Sequence, residues 1–137
     1  MSNDLFIRDH QDHWLLPIEM GVVVRCTFDY GCVLEIAWRG LSINVRIEGD
    51  ILFRTKDGEK ILSGEDATLL TEILLILNQK VDSAKVFKDG KLVLDFSNEV
   101  TLAASSSVEY EAWQITSSNG LRIVCMPGGE LAIWRPE

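Results

Sequence analysis

Apolar and polar residues alternate with a period of two over most of this chain. Leu41-Ser42-Ile43-Asn44-Val45-Arg46-Ile47 does so without a break, the mark of a strand with one buried and one wet face. Val22–Phe28 and Cys32–Trp38 read as the two strands before it, joined by turns at Asp29-Tyr30-Gly31 and Arg39-Gly40. Ile51–Arg54 is a shorter strand, ended by Lys56-Asp57-Gly58. The same period returns in Ala84–Phe87, Leu92–Phe96 and Val100–Ala104, with turns at Lys88-Asp89-Gly90 and Ser97-Asn98.

The last third of the chain reads as a three-stranded meander. Gln114-Ile115-Thr116 and Leu121–Cys125 are joined through Ser117-Ser118-Asn119-Gly120, and Asn-Gly is the strongest short hairpin signal. Pro127-Gly128-Gly129 turns into a third strand that ends in Trp134. Glu109, Tyr110 and Glu111 lead in; on a strand, both carboxylates would point to one side.

The period changes once. Ser63 is placed to cap a helix, Glu65 and Asp66 put acid where the helix dipole favours it, and Ala67, Leu70, Ile73, Leu74 and Leu77 recur at helical spacing. This predicts a central helix over about residues 64–78, packed across a sheet. The fold class expected is therefore α+β, mostly antiparallel meanders around one helix, in a single domain spanning residues 1–137.

The halves on either side of that segment look alike. Phe28, Gly31, Leu34, Glu35 and Ile36 answer to Phe87, Gly90, Leu94, Asp95 and Phe96 with one gap, and Leu41, Ile43 and Val45 to Val100, Leu102 and Ala104. An internal duplication of about 22–62 and 81–134 is expected to pack about a pseudo-twofold.

Composition narrows the function classes. The chain has 137 residues and a formal charge of −8, which argues against direct nucleic-acid binding, since phosphate contacts need concentrated Lys and Arg. Its apolar content of 47% suits a folded domain rather than a disordered one. No apolar run has the length of a membrane span, and Met1–Asp4 carries neither a basic flank nor a signal-peptide core. A cytoplasmic protein without membrane partners is expected. Cys26, Cys32 and Cys125 make no Cys-x-x-Cys pair and read as reduced thiols.

No constellation of residues suggests catalysis. His10 and His13, with Asp9 and Asp12, form the one local cluster of metal-ligand types, but no third ligand stands at a diagnostic spacing, so a polar N-terminal arm is expected there. Those are also the only histidines, so a Ser-His or Cys-His hydrolase would have to draw its base from this arm, which is not expected. No phosphate-cradling loop precedes a helix. No catalytic residue, metal or cofactor is predicted. Of the four tryptophans, Trp14, Trp38, Trp113 and Trp134, core packing is the default role.

Tyr110-Glu111-Ala112-Trp113, Gly120 and Pro127-Gly128-Gly129-Glu130-Leu131-Ala132-Ile133-Trp134 resemble a bacterial domain family of unknown function built on that C-terminal pattern. The similarity runs from about Trp14-Leu15-Leu16-Pro17 to the end. Domains of this kind look like the immunity proteins encoded beside polymorphic or contact-dependent toxins. The resemblance thus implies a non-catalytic protein that binds and occludes a cognate toxin domain, a basic nuclease. Candidate contact residues are Glu48, Asp50, Glu109, Tyr110, Glu111 and Glu130. The alternative is a small-molecule-binding or enzymatic domain with a pocket between helix and sheet, lined by Trp38 or Trp113.

Overall fold

A computed structural model describes residues 5–63 and 66–136. A short hairpin of β1 (Arg8–Asp9) and β2 (His13–Leu15) comes first. Then β3 (Val22–Phe28), β4 (Cys32–Trp38) and β5 (Leu41–Ile47) form a meander, and β6 (Ile51–Thr55) and β7 (Gly58–Leu62) a hairpin. In the second half β8 (Val81–Phe87), β9 (Leu92–Phe96) and β10 (Thr101–Ala104) form a meander, followed by β11 (Trp113–Ser117), β12 (Arg122–Cys125) and β13 (Leu131–Trp134).

The halves exchange partners. After β5 the chain crosses to the other sheet, where β6 pairs with β10; after β10 it crosses back, and β11 pairs with β5. The result is two antiparallel sheets, ordered β3-β4-β5-β11-β12-β13 and β1-β2-β8-β9-β10-β6-β7. Each half is a three-stranded meander followed by strands in the opposite sheet, the β6–β7 hairpin in the first half and the three strands β11, β12 and β13 in the second. Each also has a register shift near the start of its first strand, between Val23 and Arg25 and between Val81 and Ser83.

Alternation becomes the core directly. Leu41, Ile43, Val45 and Ile47 of β5 are buried, as are Leu92, Leu94 and Phe96 of β9, while the residues between them are only partly covered. Inward residues of both sheets belong to one cluster, in which Trp113, Phe53 and Phe96 are the largest fully buried side chains. Each large apolar side chain so buried contributes roughly 1.5–3 kcal/mol.

The expected central helix over about residues 64–78 does not form, so the fold is all-β rather than α+β. Ala67–Leu70 make one α-helical turn (α1), Thr71–Ile76 continue as a 3-10 helix, and Leu77 is extended. Gly64 and Glu65, part of the expected helix start, lie outside the described residues. The buried residues of the segment explain its form. Leu70, Ile73 and Ile76 are buried at a spacing of three, which matches the roughly three residues per turn of a 3-10 helix. Leu74, which the helical spacing placed in the apolar face, is 46% exposed, and Leu75 beside it 57%. Thr68, Thr71, Ile73 and Ile76 are β-branched and weaken an α-helix. Immediately afterwards the backbone is captured by β3: Asn78 N–H donates to Val23 O (2.7 Å) and Val23 N–H to Gln79 O (3.0 Å).

All three cysteines are free. Cys32 lies opposite Phe28, and Cys26 opposite Leu34, so the two thiols do not face each other in register. Burial pushes the Cys32 thiol up to about 12, and burial also raises Cys26 and Cys125. A thiol raised in this way is protonated and unreactive at neutral pH. In the native protein Cys32 and Cys125 are expected to resist a disulfide reagent that labels all three thiols once the chain is unfolded; prompt labelling of Cys32 at neutral pH would contradict its burial.

Candidate functional site

Two of the three places where the chain crosses between the sheets lie side by side; the third joins β2 to β3. The first of the two is Glu48-Gly49-Asp50, between β5 and β6. The second is the loop of residues 105–112, between β10 and β11. Glu48 N–H donates to Ala112 O (2.8 Å). Tyr110 lies against Gly49 so closely that a Cβ there would stand 3.1 Å from the phenol oxygen. Five of the six candidate contact residues therefore fall on two touching segments.

The sequence reading of Glu109 and Glu111 as alternate residues of a strand needs correction. Residues 105–112 are a loop, and β11 begins only at Trp113. Glu111 turns into a groove of about 530 Å³ together with Tyr30, Arg46, Glu48, Tyr110, Trp113 and Gln114. Glu109 is exposed on the same loop, its N–H bonded to Ser107 Oγ (3.1 Å), and does not line the groove. Asp50 lines a second groove of about 490 Å³, which shares Tyr110 and also takes in Lys91, Ile61 and Ser105–Ser107. Glu130 stands apart from both, in the β12–β13 turn, where its carbonyl accepts from Met126 N–H (2.8 Å).

The first groove is acidic by construction. Arg46, on the wetter face of β5, donates from Nε to Glu48 Oε1 (2.6 Å) and from Nη2 to Asp29 Oδ1 (3.1 Å). These bonds, Glu48 first, push the guanidinium pKa up, and the Arg46 bond is also the main cause that holds the Asp29 carboxyl below its usual range. One guanidinium thus holds two carboxylates, Asp29 and Glu48, beside a groove that Glu111 also lines, and among the described residues Glu111 makes no ion pair. Two tyrosines flank the groove: Tyr30 is 87% exposed and Tyr110 45%. Asp29, Tyr30 and Arg46 stand in the sequence only as a turn and a wet strand position, and were not among the candidates. The available signal was an aromatic at a turn tip beside an acid, where a core role is hard to place.

The groove rests on a rigid floor. Trp113 is 1% exposed, and its indole N–H donates to Gly90 O (2.9 Å). Gly128 N–H donates to Ser107 O (2.7 Å), which ties the β12–β13 turn to the Tyr110 loop. The Tyr-Glu-Ala-Trp and Pro-Gly-Gly segments, far apart in sequence, thereby form one unit. Of the other tryptophans, Trp38 is buried, Trp14 half-buried and Trp134 51% exposed. Beside the 3-10 segment lies an open groove of about 540 Å³, lined by Phe53, Lys60, Glu72, Leu74 and Leu75 among others. Neither Trp38 nor Trp113 lines it, whereas Trp113 lines the first groove.

The N-terminal segment, expected as a polar arm, is a hairpin. Leu5 and Ile7 are buried, and Lys88 holds it through Asp9 and the His10 carbonyl. His10 and His13 stack at 4.8 Å, and His13 Nδ1 pairs with Asp12 (2.8 Å). Among the described residues no group of three His, Cys, Asp or Glu side chains is placed to hold a metal.

These features define a two-sheet, all-β domain whose chain crossings carry an acidic groove flanked by tyrosines. The chain belongs to a family of unknown function (DUF6188), whose model matches residues 14–135. No curated protein and no solved structure matches it. Among the described residues no helix is long and apolar enough to cross a membrane.

Proposed function

We propose that the domain is a non-catalytic cytoplasmic immunity protein, which binds a cognate bacterial toxin domain and occludes it. The toxin is a basic nuclease, and the groove between Tyr30 and Tyr110 covers its cationic cleft. The observation that carries this reading is the convergence of Asp29, Glu48 and Glu111 with two exposed tyrosines on touching segments. Carboxylates accept bidentate hydrogen bonds from arginine. Exposed tyrosines are frequent binding anchors. Arg46 holds Glu48 and Asp29 in place, which lowers the entropy lost on binding. The formal charge of −8 would speed encounter with a basic partner.

Co-expression with the product of the adjacent upstream gene tests the proposal. The expected result is a one-to-one complex and loss of that product's nuclease activity, with an association rate that falls as salt rises. Tyr110→Ala and Glu111→Lys should each weaken binding about 30-fold or more, the range of hot-spot residues. Asp82→Lys, outside the groove, should not. A complex that forms equally well with both groove variants would refute this face.

A further inference from the structure

We infer that the outer edge of β13 pairs with the same edge of a second copy of this chain, making a twofold dimer in which the β13-containing sheet runs on from one protomer to the other. An exposed strand edge offers unpaired N–H and C=O groups, and proteins normally blunt such edges with charge, bulges or brevity. The other edges follow that rule. β1 has two residues, both charged. β7 carries Glu59 and Lys60, paired with Arg54 and Glu72. β3 has a register shift and Arg25, and its start is bridged to Lys80. β13 instead presents Leu131-Ala132-Ile133-Trp134, with no charge, bulge or proline inside it.

Its hydrogen-bonding direction follows from the ladder. Met126 N–H donates to Glu130 O, and Val124 and Arg122 lie opposite Ala132 and Trp134. By alternation, Glu130, Ala132 and Trp134 turn their backbone groups to β12, whereas Leu131 and Ile133 turn theirs outward. Among the described residues, none pairs with that outer side.

Symmetry then limits the register. Directly opposite residues of an antiparallel pair share a face, so a twofold axis must pass beside one residue of the strand. With the axis at Ala132, Leu131 of each copy forms hydrogen-bonded pairs with Ile133 of the other, and these partly buried core residues extend the apolar layer across the junction. On the opposite face Glu130 meets the partner strand's Trp134, over whose ring Arg122 of that same copy already lies (5.1 Å). Each end of the interface thus sets an acid against a cation across an indole. Moving the axis to Ile133 would put Leu131 opposite Arg135 and lose this match. Glu130, set apart from the groove, gains a role in this dimer.

Sedimentation of the full chain over a dilution series tests the inference, with three variants. Wild type should shift from monomer to dimer with concentration. Ala132→Glu, which places two carboxylates opposite each other at the axis without entering the core, should weaken dimerisation at least tenfold. Glu130→Arg and Arg122→Glu should each weaken it, and the double exchange should restore it. Ala132→Cys should give a covalent dimer on mild oxidation, since Cα atoms of such a non-hydrogen-bonded pair lie about 4.5 Å apart, within disulfide reach. Wild type with its three native cysteines is the control. A monomer at every concentration would overturn the inference and leave the edge to a strand of some other protein. So would a dimer unaffected by Ala132→Glu.

Discussion

Trp113→Ala is expected to cost about 3–5 kcal/mol of folding stability, the range for removing a large aromatic from a packed core. The indole is fully enclosed at the start of β11, where the chain has just re-entered its sheet. It also closes a buried hydrogen bond to Gly90 O. That carbonyl has one other partner, Cys125 Sγ at 3.4 Å, a weak donor. Trp113→Phe separates the two contributions. It keeps most of the apolar surface but drops the indole donor, and should cost about 1–3 kcal/mol through the poorly satisfied carbonyl and the smaller ring. Urea unfolding followed by circular dichroism measures both. A loss below about 1 kcal/mol for the alanine variant would contradict the packing described. Because Trp113 also floors the groove, Trp113→Phe should weaken the proposed toxin complex less than Tyr110→Ala does, since Tyr110 is exposed at the groove and Trp113 is not.

The strands were legible because one face of each is buried and the other is not. β4, β5 and β9 fall where alternation predicts them, and β3 and β13 where their flanking turns do. β7 was not legible: Gly58-Glu59-Lys60-Ile61-Leu62 buries only its last residue, so it has no apolar stripe to read. The helix failed for a more instructive reason. Leucines at 69, 70, 74, 75 and 77 satisfy several periods at once, and only tertiary contact decides among them. Here the choice was the spacing of three that puts Leu70, Ile73 and Ile76 inside, with the flanking backbone bonded into β3. Partner exchange between the halves lay beyond sequence as well. The repeat of turns and alternation suggested two similar units, but nothing in a local pattern announces that β6 pairs with β10 and β11 with β5. The site was half legible. Glu48, Asp50, Tyr110 and Glu111 are grouped by the adjacent crossings, a consequence of that exchange. Asp29 and Arg46 join them through an ion pair that no linear spacing announces.

Gly129→Ala is expected to be nearly as damaging as Trp113→Ala, for different reasons. Gly129 has φ +96, and a Cβ built there would stand 2.5 Å from Asp89 O, a backbone atom with no freedom to retreat. Its neighbour in space is Gly90, at φ +100, where a Cβ would meet Gly129 Cα at 2.8 Å. The two turns pack glycine against glycine, so neither can take a side chain without parting the turns. Backbone strain at positive φ costs about 1–3 kcal/mol, and overpacking adds about 1–3 kcal/mol more. Gly128→Ala is the discriminating control, because its φ is +90 but nothing lies within 4 Å of the added carbon. It should show the strain alone. Gly129→Ala should therefore exceed Gly128→Ala by about 1–3 kcal/mol in urea unfolding, and equal losses would mean that the turns can separate freely. The same turn joins stability to the groove. Gly128 N–H holds Ser107 O, and Ser107 Oγ holds Glu109 N–H, one residue before Tyr110. Forcing the β12–β13 turn outward should thus loosen the loop that presents Tyr110 and Glu111. If the proposed toxin complex forms through this face, Gly129→Ala should bind more weakly than Gly128→Ala at a temperature where both are still folded.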